Sequence, residues 1–209
     1  MPALGLGWCR VALGVLALAA VAARLTEGID DPTFSAASFF SYFTIQSNLL
    51  AAGVLLVAGA GALGGRPPSE RLDMWRGAAT LYMVTTGVAY SALLAADEPS
   101  LLRWTNLVLH YAMPVALAVD WAVDRPRWRI PFGRAIAWMA FPAAFIAYTL
   151  ARGAVTDWYP YPFVDVVERG YPAVLLTALA IGAAMLALSW LLAWTTGPRA
   201  SPAEPEPAR

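Results

Sequence analysis

The sequence predicts an all-α membrane protein, a single domain of six transmembrane helices with both termini in the cytoplasm. The composition is the first reason. Of the 209 residues 59% are apolar and 13% are charged, whereas a soluble domain is about half apolar and about a quarter charged. The second reason is the grouping of the apolar residues into six segments, each close to the ~20 residues that span ~30 Å of hydrocarbon.

The first segment, residues 4–23, contains Arg10. A short apolar stretch that ends in Ala-rich sequence is typical of a cleaved signal peptide. It is also compatible with a retained membrane helix in which Arg10 snorkels to the interface. We prefer the retained helix. An acidic linker, residues 24–37, follows it.

The remaining apolar segments are separated by short polar or Pro-rich connections. We predict helices at residues 38–63, 74–95, 101–122, 132–150 and 171–194. Residues 1–195 then form the six-helix domain. Residues 196–209 are rich in Pro, Ala and Glu without an apolar period, which predicts a disordered tail.

The distribution of arginine predicts the orientation. Most arginines flank the second-to-third and fourth-to-fifth connections or the C-terminus: Arg66, Arg71, Arg76, Arg125, Arg127, Arg129, Arg134 and Arg199. The other three connections hold Arg24, Arg103, Arg152 and Arg169, together with most of the acidic residues. The positive-inside rule therefore places both termini in the cytoplasm and the long aromatic loop, residues 151–170, outside.

The composition also restricts the chemistry. The net charge is zero without a basic stripe, which argues against nucleic-acid binding. Cys9 is the only cysteine, so an internal disulfide and a multi-cysteine metal site are excluded. His110 is the only histidine, so two- and three-histidine metal or haem sites are excluded too. We expect a site without metal or cofactor.

Polar residues begin the second predicted helix, in the run FFSYFTIQSNLL at residues 39–50. Helical spacing places Ser41, Thr44 and Asn48 on one face and Gln46 roughly opposite. An unpartnered hydroxyl or amide in hydrocarbon costs several kcal/mol, on the order of 2–7. We therefore expect the polar face to meet another helix or a wet cavity.

The fourth predicted helix carries the partner that this face needs. Counted from the outer side at ~1.5 Å per residue, Thr44 lies about 9 Å deep and His110 about 14 Å deep, which agree within the uncertainty of the boundaries. Asn106 lies one turn before His110, and Pro114 one turn after it. Because Pro114 cannot donate to the carbonyl of His110, we expect a kink there.

Each of these residues also has an ordinary structural interpretation. Threonine in a membrane helix commonly donates to its own i−4 carbonyl, and a lone histidine is often a packing residue. Asn48, Asn106 and Gln46 are the kind of residue that links helices by hydrogen bonds. The Trp and Tyr side chains of residues 158–161 are typical of an interfacial aromatic belt.

Three stretches together resemble the androgen-induced and androgen-dependent family of six-helix membrane hydrolases, including its bacterial branch. They are residues 41–49 (SYFTIQSNL), the helix that bears His110, and residues 158–163 (WYPYPF). The likeness covers roughly residues 5–195. It implies a threonine hydrolase that cleaves fatty acid esters of hydroxy fatty acids, with Thr44 as the nucleophile and His110 as the essential histidine.

The roles of the neighbouring residues follow from the same chemistry. A neutral imidazole within about 2.6–3.2 Å of the threonine hydroxyl can take its proton. Asn48, Asn106 and backbone N–H groups at the start of the second helix are candidate oxyanion donors. Gln46 is a further candidate for substrate binding, and Asp165 is the candidate for orienting His110. The lipid ester is expected to enter sideways from the outer leaflet of the plasma membrane.

A non-enzymatic function is the alternative hypothesis. In it the protein is a small transporter or a lipid-binding protein, and the same polar face binds a ligand. Transporters often show inverted repeats and broken helix pairs, and the sequence displays neither convincingly.

Overall fold

The computed structural model describes residues 2–29, 31–97 and 103–197, and every regular element in those ranges is helical. The α-helices are α1 (Pro2–Ile29), α2 (Ala36–Phe40), α3 (Phe43–Leu63), α4 (Glu70–Leu93), α5 (Trp104–Leu107), α6 (Met113–Val123), α7 (Phe132–Ala135), α8 (Ala140–Thr156) and α9 (Val166–Trp194). A π turn lies at Val108–Ala112, and 3-10 turns lie at Ala95–Asp97, Ile136–Met139 and Pro162–Val164. The all-helical prediction is confirmed.

Five helical stretches are long and apolar enough to cross a membrane. They are Leu4–Ile29, Phe43–Leu63, Trp104–Val123, Phe132–Thr156 and Val166–Trp194. Each overlaps one of the six predicted segments. The remaining predicted segment, residues 74–95, corresponds to α4. This helix is long enough to cross a membrane but is less apolar than the other five.

The lower hydropathy of α4 follows from its place inside the bundle. Eleven of its 24 residues are buried, against five of the 29 residues of α9. A helix surrounded by protein needs no apolar surface toward lipid, and α4 accordingly carries Thr, Tyr and Gly along much of its length. Long α3 lies beside it, packed along α1 on one side and against α4 on another, while α4 also contacts α6 and α9.

Arg10 does not snorkel, so that expectation was wrong. Its side chain is buried. It donates from Nε to Asp120 and from Nη2 to Asp124, and each hydrogen bond is 2.6 Å long. Arg76 joins the same group through Asp120 at 2.8 Å and Asp73 at 2.7 Å. These five residues, the ionic cluster, link α1, α4 and the end of α6. A buried arginine is tolerated there because carboxylates from other helices neutralise it.

Both ends of the predicted domain differ in detail from the sequence prediction. Helix α1 continues to Ile29, so the first residues of the expected linker are helical. At the other end, the Thr196 hydroxyl accepts the Ile130 N–H at 2.9 Å, and the Gly197 N–H donates to the Pro126 carbonyl at 3.2 Å. The rest of the predicted tail, residues 198–209, lies outside the described residues.

Candidate active site

The break between α2 and α3 positions Thr44. Tyr42 is extended, with φ −77° and ψ 130°, so α3 begins at Phe43 and Thr44 lies in its first turn. The first N–H groups of a helix have no partner within the helix. The Thr44 N–H donates instead to the Tyr161 hydroxyl at 3.2 Å. The polar run thus starts a helix within the protein and leaves one backbone donor directed at the site.

Thr44 and His110 meet across α3 and the π turn. Thr44 is 8% exposed, and its Oγ1 lies 3.3 Å from His110 Nε2. The expected proximity of the two side chains is therefore observed. The other ring nitrogen, Nδ1, lies 3.3 Å from the carbonyl oxygen of Asn106. Because a carbonyl only accepts, we assign a proton to Nδ1; in the neutral tautomer Nε2 is then an acceptor for the Thr44 hydroxyl.

At Pro114, where a kink is predicted, the structure has a π turn, Val108–Ala112, directly before the proline. The Met113 N–H donates to the Val108 carbonyl, five residues back instead of four. Helix α4 approaches this turn at Gly87, where a Cβ would come within 2.9 Å of Pro114 Cβ and 3.1 Å of the His110 carbonyl oxygen. Only glycine leaves room for the two helices to pack this closely beside the histidine.

One aromatic contact, itself supported by a hydrogen bond, holds the imidazole in place. The ring of Tyr90 stacks on the ring of His110, with centroids 3.8 Å apart and an interplanar angle of 21°. The Tyr90 hydroxyl accepts a hydrogen bond from Asn106 Nδ2 at 2.7 Å. Asn106 therefore acts on His110 twice, through its own carbonyl and through Tyr90.

Tyr161 is the site residue that sequence reasoning missed. Its hydroxyl lies 3.3 Å from Thr44 Oγ1, and the residue is buried between Phe163, whose ring is parallel at 5.1 Å, and Tyr42. Burial raises the pKa of Tyr161 to about 12, so the hydroxyl keeps its proton at neutral pH. The signal was a tyrosine between Pro160 and Pro162, a rigid segment that we assigned to an interfacial belt.

These contacts form one chain of hydrogen bonds with a consistent direction. The Tyr161 hydroxyl accepts the Thr44 N–H and donates to Thr44 Oγ1, which donates to His110 Nε2, and His110 Nδ1–H donates to Asn106. A threonine hydroxyl held between a donor and a basic nitrogen has the arrangement that nucleophilic catalysis needs.

The other predicted residues lie around this chain in different roles. Asn48 is fully buried, and its Nδ2 donates to the carbonyls of Thr44 at 2.9 Å and Leu109 at 3.2 Å, so it links α3 to the π turn. Gln46 donates to the Phe40 carbonyl at 2.8 Å. Asp165 accepts the N–H groups of Val167 and Glu168 as the N-cap of α9. Asn106, not Asp165, is the residue bonded to His110 Nδ1.

Two cavities meet at Thr44. The apolar cavity, about 270 Å³, lies between α4, α8 and α9 and is lined largely by aliphatic and aromatic side chains. The polar cavity, about 450 Å³, is lined by residues that include His110, Asn106 and Arg24. Thr44 and Tyr161 line both, whereas His110 lines the polar cavity.

Comparison of the chain with protein-family models, with curated proteins and with solved structures gives no match. The resemblance noted in the three sequence stretches therefore stays a prediction.

Proposed function

We propose that the protein is an intramembrane lipid-ester hydrolase, of the kind that the sequence resemblance implies, with Thr44 as nucleophile and His110 as general base. The observation that carries the proposal is the 3.3 Å approach of Thr44 Oγ1 to an imidazole nitrogen. The hydrogen bond from Nδ1 to the Asn106 carbonyl supports the tautomer that a base requires. The reaction needs no metal and no cofactor.

The reaction proceeds through an acyl-enzyme. Thr44 Oγ1 attacks the ester carbonyl carbon while its proton passes to His110 Nε2, which gives a tetrahedral intermediate with an oxyanion. The intermediate collapses, the bond to the alcohol oxygen breaks, and the departing oxygen takes the proton back from Nε2. Water, deprotonated in turn by His110, then attacks the acyl-Thr44 carbonyl. The bond from that carbon to Thr44 Oγ1 breaks, Oγ1 takes the proton back from Nε2, and the fatty acid is released.

Tyr161 supplies the oxyanion donor in this scheme. Its hydroxyl is 3.3 Å from the nucleophilic oxygen, so it can rotate toward an oxyanion that forms on the carbon bonded to that oxygen. The Thr44 N–H, now bonded to Tyr161, is a second donor in the same place. Donors aligned in advance with the developing charge stabilise the transition state more than the ground state. The amide of Asn48 is already bonded to two carbonyls and is left out of this role.

We place this domain in the plasma membrane with six crossings and both termini in the cytoplasm. Helix α4 supplies the sixth crossing, because its 24 residues reach about 36 Å at ~1.5 Å per residue. The arginine distribution supports the orientation. Thr44 then lies in the outer half, where lipid esters of the outer leaflet reach it from the side. A fluorescent protein fused to the C-terminus should fold and fluoresce in the cytoplasm; an outward-only reporter signal would contradict the topology.

Covalent labelling tests the proposal directly. A fluorophosphonate bearing an alkyl chain should phosphonylate Thr44, and peptide mass spectrometry should find the adduct on that residue. The purified protein should also hydrolyse long-chain fatty acid esters in detergent or nanodiscs. If Thr44→Ala hydrolysed the esters as fast as wild type, Thr44 would not be the nucleophile and the proposal would be wrong.

A ligand-binding protein without activity is the second candidate, supported by the two cavities. It predicts saturable binding of fatty acids or lipid esters without product formation. It also predicts that Thr44→Ala changes affinity modestly and that the fluorophosphonate leaves Thr44 unlabelled. Measuring binding and turnover on the same preparation separates the two candidates.

A further inference from the structure

The two cavities differ in which catalytic group they contain. Both reach Thr44, but His110 lines the polar cavity, together with Asn106 and Arg24. The apolar cavity is lined by residues such as Phe145, Ile181 and Met185. A bound ester therefore has two unlike spaces on the two sides of its carbonyl carbon. The position of His110 decides which half of the ester enters which space.

The leaving oxygen must lie on the His110 side. In the acylation step His110 Nε2 returns its proton to the alcohol oxygen, which requires hydrogen-bond reach between the two atoms. The alcohol half is thereby directed into the polar cavity. The acyl half extends in the opposite direction from the carbonyl carbon, past Thr44 and into the apolar cavity. The aliphatic and aromatic side chains that line this cavity suit a hydrocarbon chain.

We propose that the apolar cavity is the acyl-chain subsite and that Gly182 on α9 sets the length of chain it accepts. This assignment rests on the proposed hydrolase function. Residues 178, 181, 182 and 185 of α9 all line the cavity and share one face of the helix. Val174 packs with Tyr161 and Val164. Beyond the backbone break at Gly170, Gly182 lies eight residues further along α9 than Val174, which is about 12 Å at ~1.5 Å per residue. It therefore belongs to the deep part of the subsite.

Gly182 is also a position where a larger side chain can be introduced to shorten the cavity. A Cβ added there meets no atom within 4 Å. A leucine at this position would occupy cavity space without displacing the backbone or a neighbouring helix. Ala178, one turn earlier on the same face, offers a second place to shorten the subsite.

A pair of isomeric esters tests both the orientation and the length limit. Ethyl palmitate carries its long chain on the acyl side, and hexadecyl acetate carries a chain of the same length on the alcohol side. Wild type should prefer ethyl palmitate. Gly182→Leu should lower kcat/KM for ethyl palmitate about ten-fold or more, and it should leave ethyl butyrate, whose acyl chain stays short of Gly182, unchanged. Ala178→Leu should act in the same direction.

Gly53→Leu is the matched control. Gly53 is an exposed glycine of α3 where a Cβ also meets nothing within 4 Å, and it lines neither cavity. Its palmitate-to-butyrate ratio should equal that of wild type. An unchanged ratio in both Gly182→Leu and Ala178→Leu, or a wild-type preference for hexadecyl acetate, overturns the subsite alone. Absence of Thr44-dependent turnover of every ester overturns the hydrolase proposal and the subsite together.

Discussion

The protein buries polar groups at two places in the bundle, and the two places are built differently. The ionic cluster joins Arg10 and Arg76 to Asp73, Asp120 and Asp124, all through charged side chains within 3.5 Å of one another. The second place holds Thr44, His110 and Tyr161, which we call the catalytic cluster after the function proposed for it, and its hydrogen bonds are 3.2–3.3 Å long. The ion pairs to Asp73 and Asp120 are shorter, 2.6–2.8 Å, and Asp124 alone in the ionic cluster is partly exposed. The catalytic cluster instead borders two cavities.

The difference supports the proposed roles, a structural one for the ionic cluster and a chemical one for the catalytic cluster. In the ionic cluster each guanidinium donates to carboxylates from other helices, so the cluster fixes how α1, α4 and α6 pack. Neither cavity at Thr44 is lined by any of its members. In the catalytic cluster a hydroxyl, an imidazole and a phenol converge on space that a ligand can fill. The two clusters are both largely buried. They differ in whether a ligand in one of the cavities could reach their side chains.

The largest effect expected in the catalytic cluster is that of Thr44→Ala. No oxygen remains to carry the acyl group, so ester turnover and fluorophosphonate labelling should be lost together, while the protein still folds because alanine is a good helix former. Thr44→Ser keeps the oxygen on a less restricted side chain and should retain reduced activity. Turnover per folded molecule, with folding checked by size-exclusion chromatography, is the measurement. Parallel losses of yield and activity in both variants would argue for a structural Thr44.

His110→Ala should lower turnover about 10²–10⁴-fold, the usual contribution of a general base. The labelling rate at Thr44 should fall with it, because the hydroxyl loses its proton acceptor. Asn106→Ala is informative beside it, since the Asn106 backbone carbonyl persists while the contact to Tyr90 is lost. It should therefore reduce turnover less than His110→Ala. Equal losses in the two variants would contradict the role assigned to Nε2.

The ionic cluster should respond in stability instead of turnover. Asp120 accepts from both Arg10 and Arg76, so Asp120→Ala leaves two buried guanidinium groups short of a partner and should destabilise the fold by about 3–5 kcal/mol. Thermal unfolding in detergent measures it. Glu70→Ala is the control, because its ion pair with Arg134 is about half exposed and contributes about 0–1 kcal/mol. If Asp120→Ala lowered turnover per folded molecule and left the unfolding midpoint unchanged, the structural role assigned to the ionic cluster would be contradicted.

How far the sequence could anticipate these two clusters depends on the kind of information each one uses. Thr44 and His110 were predictable because each lies in an apolar helix of known rise, so residue number converts to depth. Arg10 was not, because its partner Asp120 comes 110 residues later in the chain and a single charge in an apolar run resembles a snorkelling residue. An ion pair between residues far apart in the chain produces no periodic pattern in the local sequence, so the sequence around Arg10 does not reveal its partner.

Tyr161 and α4 show two further limits. The position of Tyr161 depends on the conformation of the loop between α8 and α9, which composition does not encode, so the residue was read as part of an aromatic belt. Helix α4 was found from its length, but its crossing of the membrane is not established by hydropathy, because a central helix has little lipid-facing surface to make apolar. Pro114 predicted a kink, and only the structure gives the π turn directly before it.

Tyr161→Phe should show a smaller loss than the variants above. It removes one hydroxyl and keeps the ring packing against Phe163 and Tyr42, so the fold should be preserved. Loss of an oxyanion donor typically costs about 10²–10³ in kcat, and we expect the lower end because the Thr44 N–H remains. Tyr159→Phe, in the same loop, is the matched control and should leave kcat unchanged. A Tyr161→Phe enzyme with wild-type kcat would restrict Tyr161 to packing.

The smallest effect is expected at Ser47, a buried polar residue beside the catalytic cluster. Its hydroxyl lies 3.1 Å from that of Thr86, which in turn donates to the Tyr82 carbonyl at 2.9 Å. Ser47→Ala therefore leaves Thr86 with a partner, and the Thr44 carbonyl, which Ser47 also contacts, keeps the amide of Asn48. Because the Ser47 hydroxyl has a single proton for its two contacts, the loss is equivalent to one neutral hydrogen bond, about 0.5–1.5 kcal/mol. That is several-fold less than for Asp120→Ala, where charges lose a partner. Unfolding midpoints of the two variants, measured in one detergent, make the comparison. If Ser47→Ala were as destabilising as Asp120→Ala, the contrast between the ionic cluster and the surroundings of the catalytic cluster would be wrong.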